Sequence, residues 1–265
     1  MSAGLGHREE QNVQQGEKVV YVYGIVPADV EVEPDVRGVG DPPDEVTIIR
    51  KGQIAALVSC VSPDKPLGTP EDLAAHAQLL DATAADAPVL PLRFGAVLTD
   101  ERAVQEELLG EHHDAFKSAL DQLEGRAEFI VKGRYEHDAV LREVVDESDD
   151  LAQLREQIGG QPEEATRNAR IALGEAVYNA IEAKRERDTA KLTNALTGTV
   201  VEVNVRPATH EEDAVHLACL VETDRQGEFQ SAVDEIAREW DGRIEMRVRG
   251  PLAPYDFVVT QTPGE

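Results

Sequence analysis

The sequence is poor in cysteine and aromatic residues, and it has no long apolar run. Only 2 of its 265 residues are Cys, and aromatic residues make up 4%. Cys60 and Cys219 lie inside apolar, strand-like runs without a second Cys or His at ligand spacing, which favours buried, reduced thiols over a metal site. With so few rings, the cores must be built from Val, Leu, Ile and Ala. No segment approaches the roughly 18 apolar residues that span a membrane, so we expect no membrane partner.

Basic residues are scarce relative to acidic ones. The chain has 26 Lys and Arg against 52 Asp and Glu, which gives a formal net charge of −26. Such a surface repels phosphate backbones, so we expect no nucleic-acid partner. Residues 1–18 lack the apolar core of a secretory signal, and this favours a cytoplasmic location.

Motifs for catalysis and cofactor binding are missing. The sequence contains no GxxxxGK[ST], HExxH or GxSxG pattern. His112 and His113 are adjacent on a predicted helix, where neighbouring side chains diverge by about 100° and do not chelate one ion together. We therefore predict that the protein is not an enzyme and has neither a cofactor nor a metal site.

The first half of the chain predicts a leader and an N-terminal α+β domain. Residues 1–17 lack periodicity, and we expect a disordered leader. The domain, residues 18–125, has a predicted strand over 18–26, a hairpin over 46–61 and a short strand over 89–92. A helix begins at the Thr69-Pro70 cap, and a second, long helix is predicted from Thr99 to Leu123.

The second half, residues 126–265, predicts a C-terminal domain with the order β-α-β-β-α-β. The predicted strands are 127–135, 199–206, 214–223 and 243–248, and the predicted helices are 138–158, 163–196 and 228–240. This is a modified ferredoxin-like arrangement with an enlarged helical crossover. The predicted fold class is therefore α+β with two domains.

The predicted helix over 163–196 would be about 50 Å long at 1.5 Å per residue. Its apolar positions lie in the middle, and its flanks, including residues 184–188, are predicted to be solvated. One interpretation is an exposed helix with intrahelical ion pairs, and the other is a protruding arm for a partner.

Three segments carry a family resemblance. They are 21–26 (YVYGIV), 91–98 (PLRFGAVL) and 250–258 (GPLAPYDFV). In this order they resemble the gas vesicle protein F/L family, and the resemblance extends from about Val19 to Val259. It covers the F type and the L type without choosing between them.

The resemblance implies an accessory protein for building gas vesicles, present at the gas vesicle and in the cytoplasm. It also implies contact with the small, very hydrophobic shell protein and with other accessory proteins, as an assembly factor or minor structural component. No reaction is implied. The alternative is a small-molecule-binding or enzymatic ferredoxin-like protein, which depends on fold analogy alone.

Arg93, Phe94 and Gly95 form the first candidate contact motif. A guanidinium in this apolar segment is expected to be paired. Either a carboxylate of the same domain binds it, or Arg93 is presented to another chain alongside Phe94. His76 on the preceding helix could orient Arg93, or it is a half-buried His bonded to backbone.

Gly250, Pro251, Pro254 and Tyr255 form the second candidate motif. Two prolines exclude a helix or a central strand, so we predict a rigid, extended linker over 250–255. The linker would lead to a strand over 256–260 that could add to a sheet edge, such as that of the N-terminal domain. In that case the motif is an interdomain brace.

Overall fold

The computed structural model describes residues 18–258, apart from the side chain of Glu163. These residues belong to two compact units, one containing 18–79 and 92–117 and the other containing 80–91 and 118–258. The predicted leader, 1–17, lies outside the described residues. The predicted domain boundary after Gly125 stays a prediction.

The strands of the first unit lie next to one another as an antiparallel sheet. They are β1 (Val19–Pro27), β2 (Thr47–Lys51), β3 (Ile54–Val61) and β5 (Val97–Leu98). The two-residue strand β4 (Leu90–Pro91) precedes β5 in the chain and belongs to the second unit. The order is β2-β3-β1, and β5 pairs with β1. Because β1 and β3 are buried along almost their whole length, their β-branched composition suits a central position. The predicted first strand and hairpin are confirmed.

Three helices follow in this part of the chain: α1 (Pro70–Asp86), α2 (Glu101–Ala103) and α3 (His113–Leu123). The prediction of one long helix from Thr99 to Leu123 is wrong. A π-helical turn, Val104–Leu108, follows α2, and the chain leaves helical geometry before α3. Gly110 lies in this break, where its low helix propensity favours the interruption.

The second unit contains β6 (Arg126–Tyr135), β7 (Glu202–Val205), β8 (Asp213–Glu222) and β9 (Ile244–Leu252). Their order in the sheet is β7-β8-β6-β9, and all neighbours are antiparallel. With two antiparallel sheets and helices, the described chain is α+β, as predicted.

The helices of the second unit are α4 (His137–Asp146), α5 (Asp149–Ile158), α6 (Glu163–Leu196) and, after a 3-10 turn at Thr223–Arg225, α7 (Gln226–Glu239). The bounds of α6 agree with the prediction. The prediction of a single helix over 138–158 is wrong, because a new helix starts at Ser148. Its Oγ accepts a hydrogen bond from the Leu151 N–H at 3.3 Å, which is the usual role of an N-cap residue.

The core of the second unit lies between its sheet and its helices. Alternate residues of the two central strands face the helices; they include Phe129, Val131, Leu217, Cys219 and Val221. Both cysteines are free thiols, Cys219 buried and Cys60 half-buried.

One face of α6 is buried although it carries charged residues. Lys184 is 5% exposed and Asp188 is 7% exposed, and they precede the buried Leu192 and Leu196 at intervals of four residues. Since residues four apart lie on the same face of a helix, all four point into the unit. The prediction that 184–188 are solvated is therefore wrong for Lys184 and Asp188.

Candidate functional site

The first motif forms a tight turn attached to β1, which we call the Arg93 turn (residues 92–97). The Ala96 N–H donates to the Arg93 carbonyl at 3.3 Å, and Gly95 has a φ of +93°. These features are typical of a type II turn, which favours glycine at its third position. The Leu92 N–H donates to the Tyr23 carbonyl at 2.9 Å and fixes the start of the turn against β1.

Four rings pack together at this turn. The Phe94 ring centroid lies 5.7 Å from that of Tyr21 and 5.6 Å from that of His76, in both cases edge to face. Tyr23 extends the cluster, 4.8 Å from Tyr21 and 5.6 Å from His76. Such arrangements are favourable beyond the burial of area alone, so Phe94 anchors the turn to its own unit.

Hydrogen bonds connect these rings to the turn. The Tyr21 hydroxyl and the His76 Nδ1 are 2.8 Å apart, and the Gly95 N–H donates to the Tyr21 hydroxyl oxygen at 3.1 Å. Burial lowers the pKa of His76, although a backbone hydrogen bond with Leu92 acts in the opposite direction. His76 is thus a buried, neutral imidazole that supports the turn, and no described contact joins it to Arg93.

Tyr23 connects the same cluster to β3 and to the loop before β2. Its hydroxyl lies 2.8 Å from the Ser59 Oγ and accepts a hydrogen bond from the Val39 N–H at 2.7 Å. Burial raises the pKa of Tyr23. Because both tyrosine hydroxyls have partners, the cluster is a satisfied structural core rather than a reactive centre.

Arg93 itself takes no part in this internal network. Its side chain is exposed, and no described residue makes a hydrogen bond or ion pair with the guanidinium. The expectation of a carboxylate partner within the same domain therefore fails for the described residues. The physical reason is that Leu92 and Phe94 point inward while the turn directs the side chain between them to solvent.

The second motif begins inside β9; we call residues 250–257 the Gly250 segment. Gly250, Pro251 and Leu252 belong to β9 and pair with β6, so the predicted linker is wrong at these positions. An edge strand can hold a proline whose nitrogen faces away from its neighbour. Gly250 has a φ of +151°, and a Cβ added there would lie 2.9 Å from the Glu128 carbonyl oxygen. Only glycine fits without displacing β6.

After β9, polar contacts hold the segment within its own unit. The Ala253 N–H donates to Asp81 Oδ1 at 3.0 Å. Asp256 is held on both sides: its carbonyl accepts from Asn204 Nδ2 at 2.6 Å, and its Oδ1 lies 3.2 Å from Arg206 Nε. The segment therefore reaches from β9 to residues of and next to β7.

The remaining predicted residues of this motif differ in exposure. Pro254 is buried, whereas Tyr255 is 39% exposed. Residues 255–258 form turns and a bend, so the predicted strand is wrong over 256–258, and 259–260 lie outside the described residues. The role of this motif as an interdomain brace stays a prediction.

A buried carboxyl group lies under the Gly250 segment. Glu128 on β6 is 3% exposed, and its Oε2 accepts a hydrogen bond from the Asp256 N–H at 3.0 Å. Burial and the nearby Asp256 carboxylate raise the pKa of Glu128 to about 8. The Asp256 Oδ2 is also buried and has no hydrogen-bond partner among the described residues. At neutral pH, therefore, Glu128 remains mostly protonated in the folded protein.

A second buried polar network was missed from the sequence. Arg243 donates from Nη2 to Asp188 Oδ2 at 2.6 Å and from Nε to Glu143 Oε1 at 2.7 Å. The Tyr135 hydroxyl donates to the same Asp188 oxygen at 2.7 Å, and Lys184 Nζ lies 2.8 Å from Glu143 Oε2. The four-residue spacing of Lys184, Asp188 and two leucines could have revealed this buried face.

The described residues contain no group of three or more His, Cys, Asp or Glu side chains that could hold a metal ion. Over residues 18–258, no helix is long and apolar enough to cross a membrane. Arg93, Phe94 and Gly95 share one turn of the first unit, and Gly250, Pro251, Pro254 and Tyr255 share one segment of the second unit.

Comparison with known proteins supports the resemblance. The chain matches the family model described as gas vesicle synthesis protein GvpL/GvpF over residues 19–259. Gas vesicle protein F of Streptomyces sp. (strain CB03234) is 33% identical over 242 residues, which cover 90% of this chain and 98% of that protein. Gas vesicle protein L of the same strain is 29% identical over 264 residues, with coverage of 91% and 93%.

A solved structure shares the fold. The crystal structure of the gas vesicle protein GvpF from Anabaena sp. PCC7120 superposes with a TM-score of 0.76 at 25% sequence identity. The match covers 91% of this chain and 98% of that chain. The mixed α+β architecture with two antiparallel sheets is thus similar to that of a known gas vesicle protein.

Proposed function

Because the chain belongs to the gas vesicle synthesis protein GvpL/GvpF family, we propose that it is an accessory protein of gas vesicle assembly that binds the hydrophobic shell protein directly. The observation that carries this proposal is the family match over residues 19–259. Family membership relates the chain to gas vesicles, and the role in their assembly is our proposal. Other accessory proteins are further expected partners, and the gas vesicle and the surrounding cytoplasm are the expected locations.

The proposed mechanism is transient shielding of shell protein monomers before they join a growing vesicle wall. A shielding surface needs exposed apolar side chains or an unpaired strand edge. Val205 on β7 and Ile171 and Tyr178 on α6 are large hydrophobic residues that remain exposed. The net charge of −26 supports the same role, because mutual repulsion keeps copies of the accessory protein apart while they hold an apolar partner.

The Arg93 turn is our proposed contact site in the first unit. Its support is the contrast between Phe94, which packs inside, and Arg93, which is exposed without a described partner. Arginine is enriched at protein interfaces because its planar guanidinium makes several directed hydrogen bonds. A rigid turn that presents one arginine is therefore suited to recognition.

For the second unit, we infer a ferredoxin-like domain with an enlarged crossover. Its support is the element order β-α-β-β-α-β together with the strand order β7-β8-β6-β9. The three helices α4, α5 and α6 form the enlarged first crossover. The relatives are named as gas vesicle proteins, and we propose that neither unit has a catalytic role.

Co-expression of a tagged copy with the shell protein tests this function. We expect the wild type to retain the shell protein during purification and the Arg93→Ala variant to retain about tenfold less, because the loss of an interface arginine removes directed hydrogen bonds. Arg102→Ala is the matched control, since Arg102 is also an exposed arginine of the first unit.

Retention by both variants at the wild-type level would remove the Arg93 turn from the interface but leave the function intact. A wild type that retains no shell protein, in the presence or absence of the other accessory proteins, would contradict direct binding and shielding.

A further inference from the structure

Among the described residues, the outer edge of β7 is an unpaired strand edge in the second unit. β7 is the terminal strand of its sheet, and Asn204 lies opposite Ala218 of β8. The Arg206 N–H donates to the His216 carbonyl at 2.8 Å, so residues 204 and 206 direct their backbone groups toward β8. Because these directions alternate in an antiparallel pair, Val203 and Val205 direct theirs away from β8.

Two other strand edges, those of β2 and β9, are protected within the described residues. At β2, Gln105 Nε2 from the neighbouring π-helical turn donates to the Arg50 carbonyl at 3.0 Å. At β9, Pro251 removes a backbone donor, and the exposed charged side chains Glu245 and Arg247 discourage pairing. By contrast, β7 alternates valine with polar residues and carries no proline.

A groove runs beside this edge. Its volume is about 580 Å³, and it is lined by residues of α6 and by the ends of β7 and β8. The Val205 side chain, which is 63% exposed, forms part of its wall together with Thr189 and Thr193 of α6. A strand added to β7 could therefore insert an alternate side chain into the groove.

The two arginines that line the groove already have acidic partners. Arg185 donates from Nε to the Asp213 carbonyl at 2.6 Å and also pairs with Glu182. Arg206 pairs with Asp256 at 3.2 Å. The net charge of this surface is therefore set by the carboxylates beside the edge.

Two such carboxylates are exposed: Glu186 on α6 and Glu202 on β7. Neither has an ion-pair partner among the described residues. This balance favours a partner segment that carries a Lys or Arg. It disfavours a second copy of this chain, because two chains of net charge −26 repel each other.

We propose that the edge of β7 and this groove dock an extended segment of the shell protein as an added strand. The segment has apolar side chains at alternate positions, of which one enters the groove, and a basic side chain near Glu186 or Glu202. Main-chain hydrogen bonds to Val203 and Val205 supply affinity, and the groove supplies specificity. This inference rests on the proposed function, since it names the surface at which the shell protein is held.

Retention of co-expressed shell protein by tagged variants tests the docking. In Val205→Pro, the outward N–H is removed while the bonds of β7 to β8 stay in place, and we expect about tenfold lower retention. Val205→Thr keeps the N–H and the branched shape, so it should retain the shell protein at nearly the wild-type level. Circular dichroism and thermal unfolding show whether Val205→Pro is folded.

Two charge-reversal variants on α6 provide a second test that leaves the strand intact. Glu186→Lys should lower retention several-fold, whereas Glu175→Lys, a change at another exposed position of the same helix, should not. Wild-type retention by folded Val205→Pro and by Glu186→Lys would overturn the docking while the proposed function stands. A wild type that retains nothing would overturn both. A wild-type dimer that Val205→Pro converts to a monomer would assign the edge to a second copy instead.

Discussion

The Arg93 turn and the Gly250 segment both match the family pattern, but their contacts differ in kind. Phe94 of the turn is held by rings and neutral hydrogen bonds, and Arg93 is left exposed. The Gly250 segment is held by polar and charged groups, because Glu128 and Arg206 both bind Asp256. A family motif can thus be a structural requirement in one unit and, as we propose, a contact surface in the other.

The two regions also respond to pH in opposite directions. His76 has a lowered pKa in the folded state, so the unfolded chain binds more protons and stability falls as the pH drops below its ordinary value of 6.5. Glu128 has a raised pKa, so the folded chain binds more protons and stability falls as the pH rises from 4.5 toward 8. Titration of His76 therefore lowers stability toward acid pH, whereas titration of Glu128 lowers it toward alkaline pH.

The largest expected effect on stability comes from replacing Gly250, and it should exceed the effect of the same replacement at Gly95. Gly250→Ala should lower the free energy of unfolding by about 3 kcal/mol, because its positive φ and the crowding by β6 both oppose a Cβ. Gly95→Ala should cost only about 1 to 2 kcal/mol, since its φ is also positive but no atom lies within 4 Å of the added Cβ. Urea unfolding of both variants measures the difference. Equal losses would contradict the close packing of the Gly250 segment.

The pH dependence of Glu128 gives the next effect. Between pH 5 and pH 8, the wild type should lose roughly 2 kcal/mol of unfolding free energy relative to Glu128→Gln, because the folded carboxyl keeps a proton that the unfolded one releases. Urea unfolding at both pH values provides the measurement. Glu124→Gln, on the exposed surface, serves as the control. A constant difference between wild type and Glu128→Gln would show that Glu128 does not titrate in this range.

The ring cluster of the Arg93 turn predicts a moderate effect. Tyr21→Phe keeps the ring contacts but removes the hydroxyl that bonds to His76 and accepts from the Gly95 N–H. We expect a loss of about 1 to 2 kcal/mol in urea unfolding, since the buried His76 ring and the Gly95 N–H each lose a hydrogen bond. A loss below about 0.3 kcal/mol would mean that these hydrogen bonds do not support the turn.

The smallest effect on stability is expected at Arg93. Arg93→Ala should change the free energy of unfolding by less than about 0.5 kcal/mol, because the side chain is exposed and has no described partner. Thermal unfolding beside the wild type checks this value. A loss above about 1 kcal/mol would show that the fold itself depends on the guanidinium.

The sequence predicted regular elements well where the periodicity was uninterrupted. The bounds of α6 and the succession of β6, β7, β8 and β9 along the chain agree with the structure. The breaks at Gly110 and Ser148 were missed because one glycine or one capping residue inside an apolar pattern does not by itself end a predicted helix.

Burial of charged residues was the harder part to predict. Lys184 and Asp188 look like a solvated face until Arg243 and Glu143, distant in sequence, pair with them. Arg93 shows the reverse case, since an apolar neighbourhood in the sequence suggested burial but the turn directs the side chain outward. Side-chain partners depend on tertiary structure, which local patterns do not contain.

Site-specific photo-crosslinking in the presence of the shell protein tests the central contrast most directly. One variant carries the photoreactive residue at Val97, the exposed last residue of the Arg93 turn, and the other carries it at Tyr255 in the Gly250 segment. We predict a covalent adduct with the shell protein from position 97 and none from position 255. An adduct from position 255, or no adduct from either position while the complex is intact, would contradict the account.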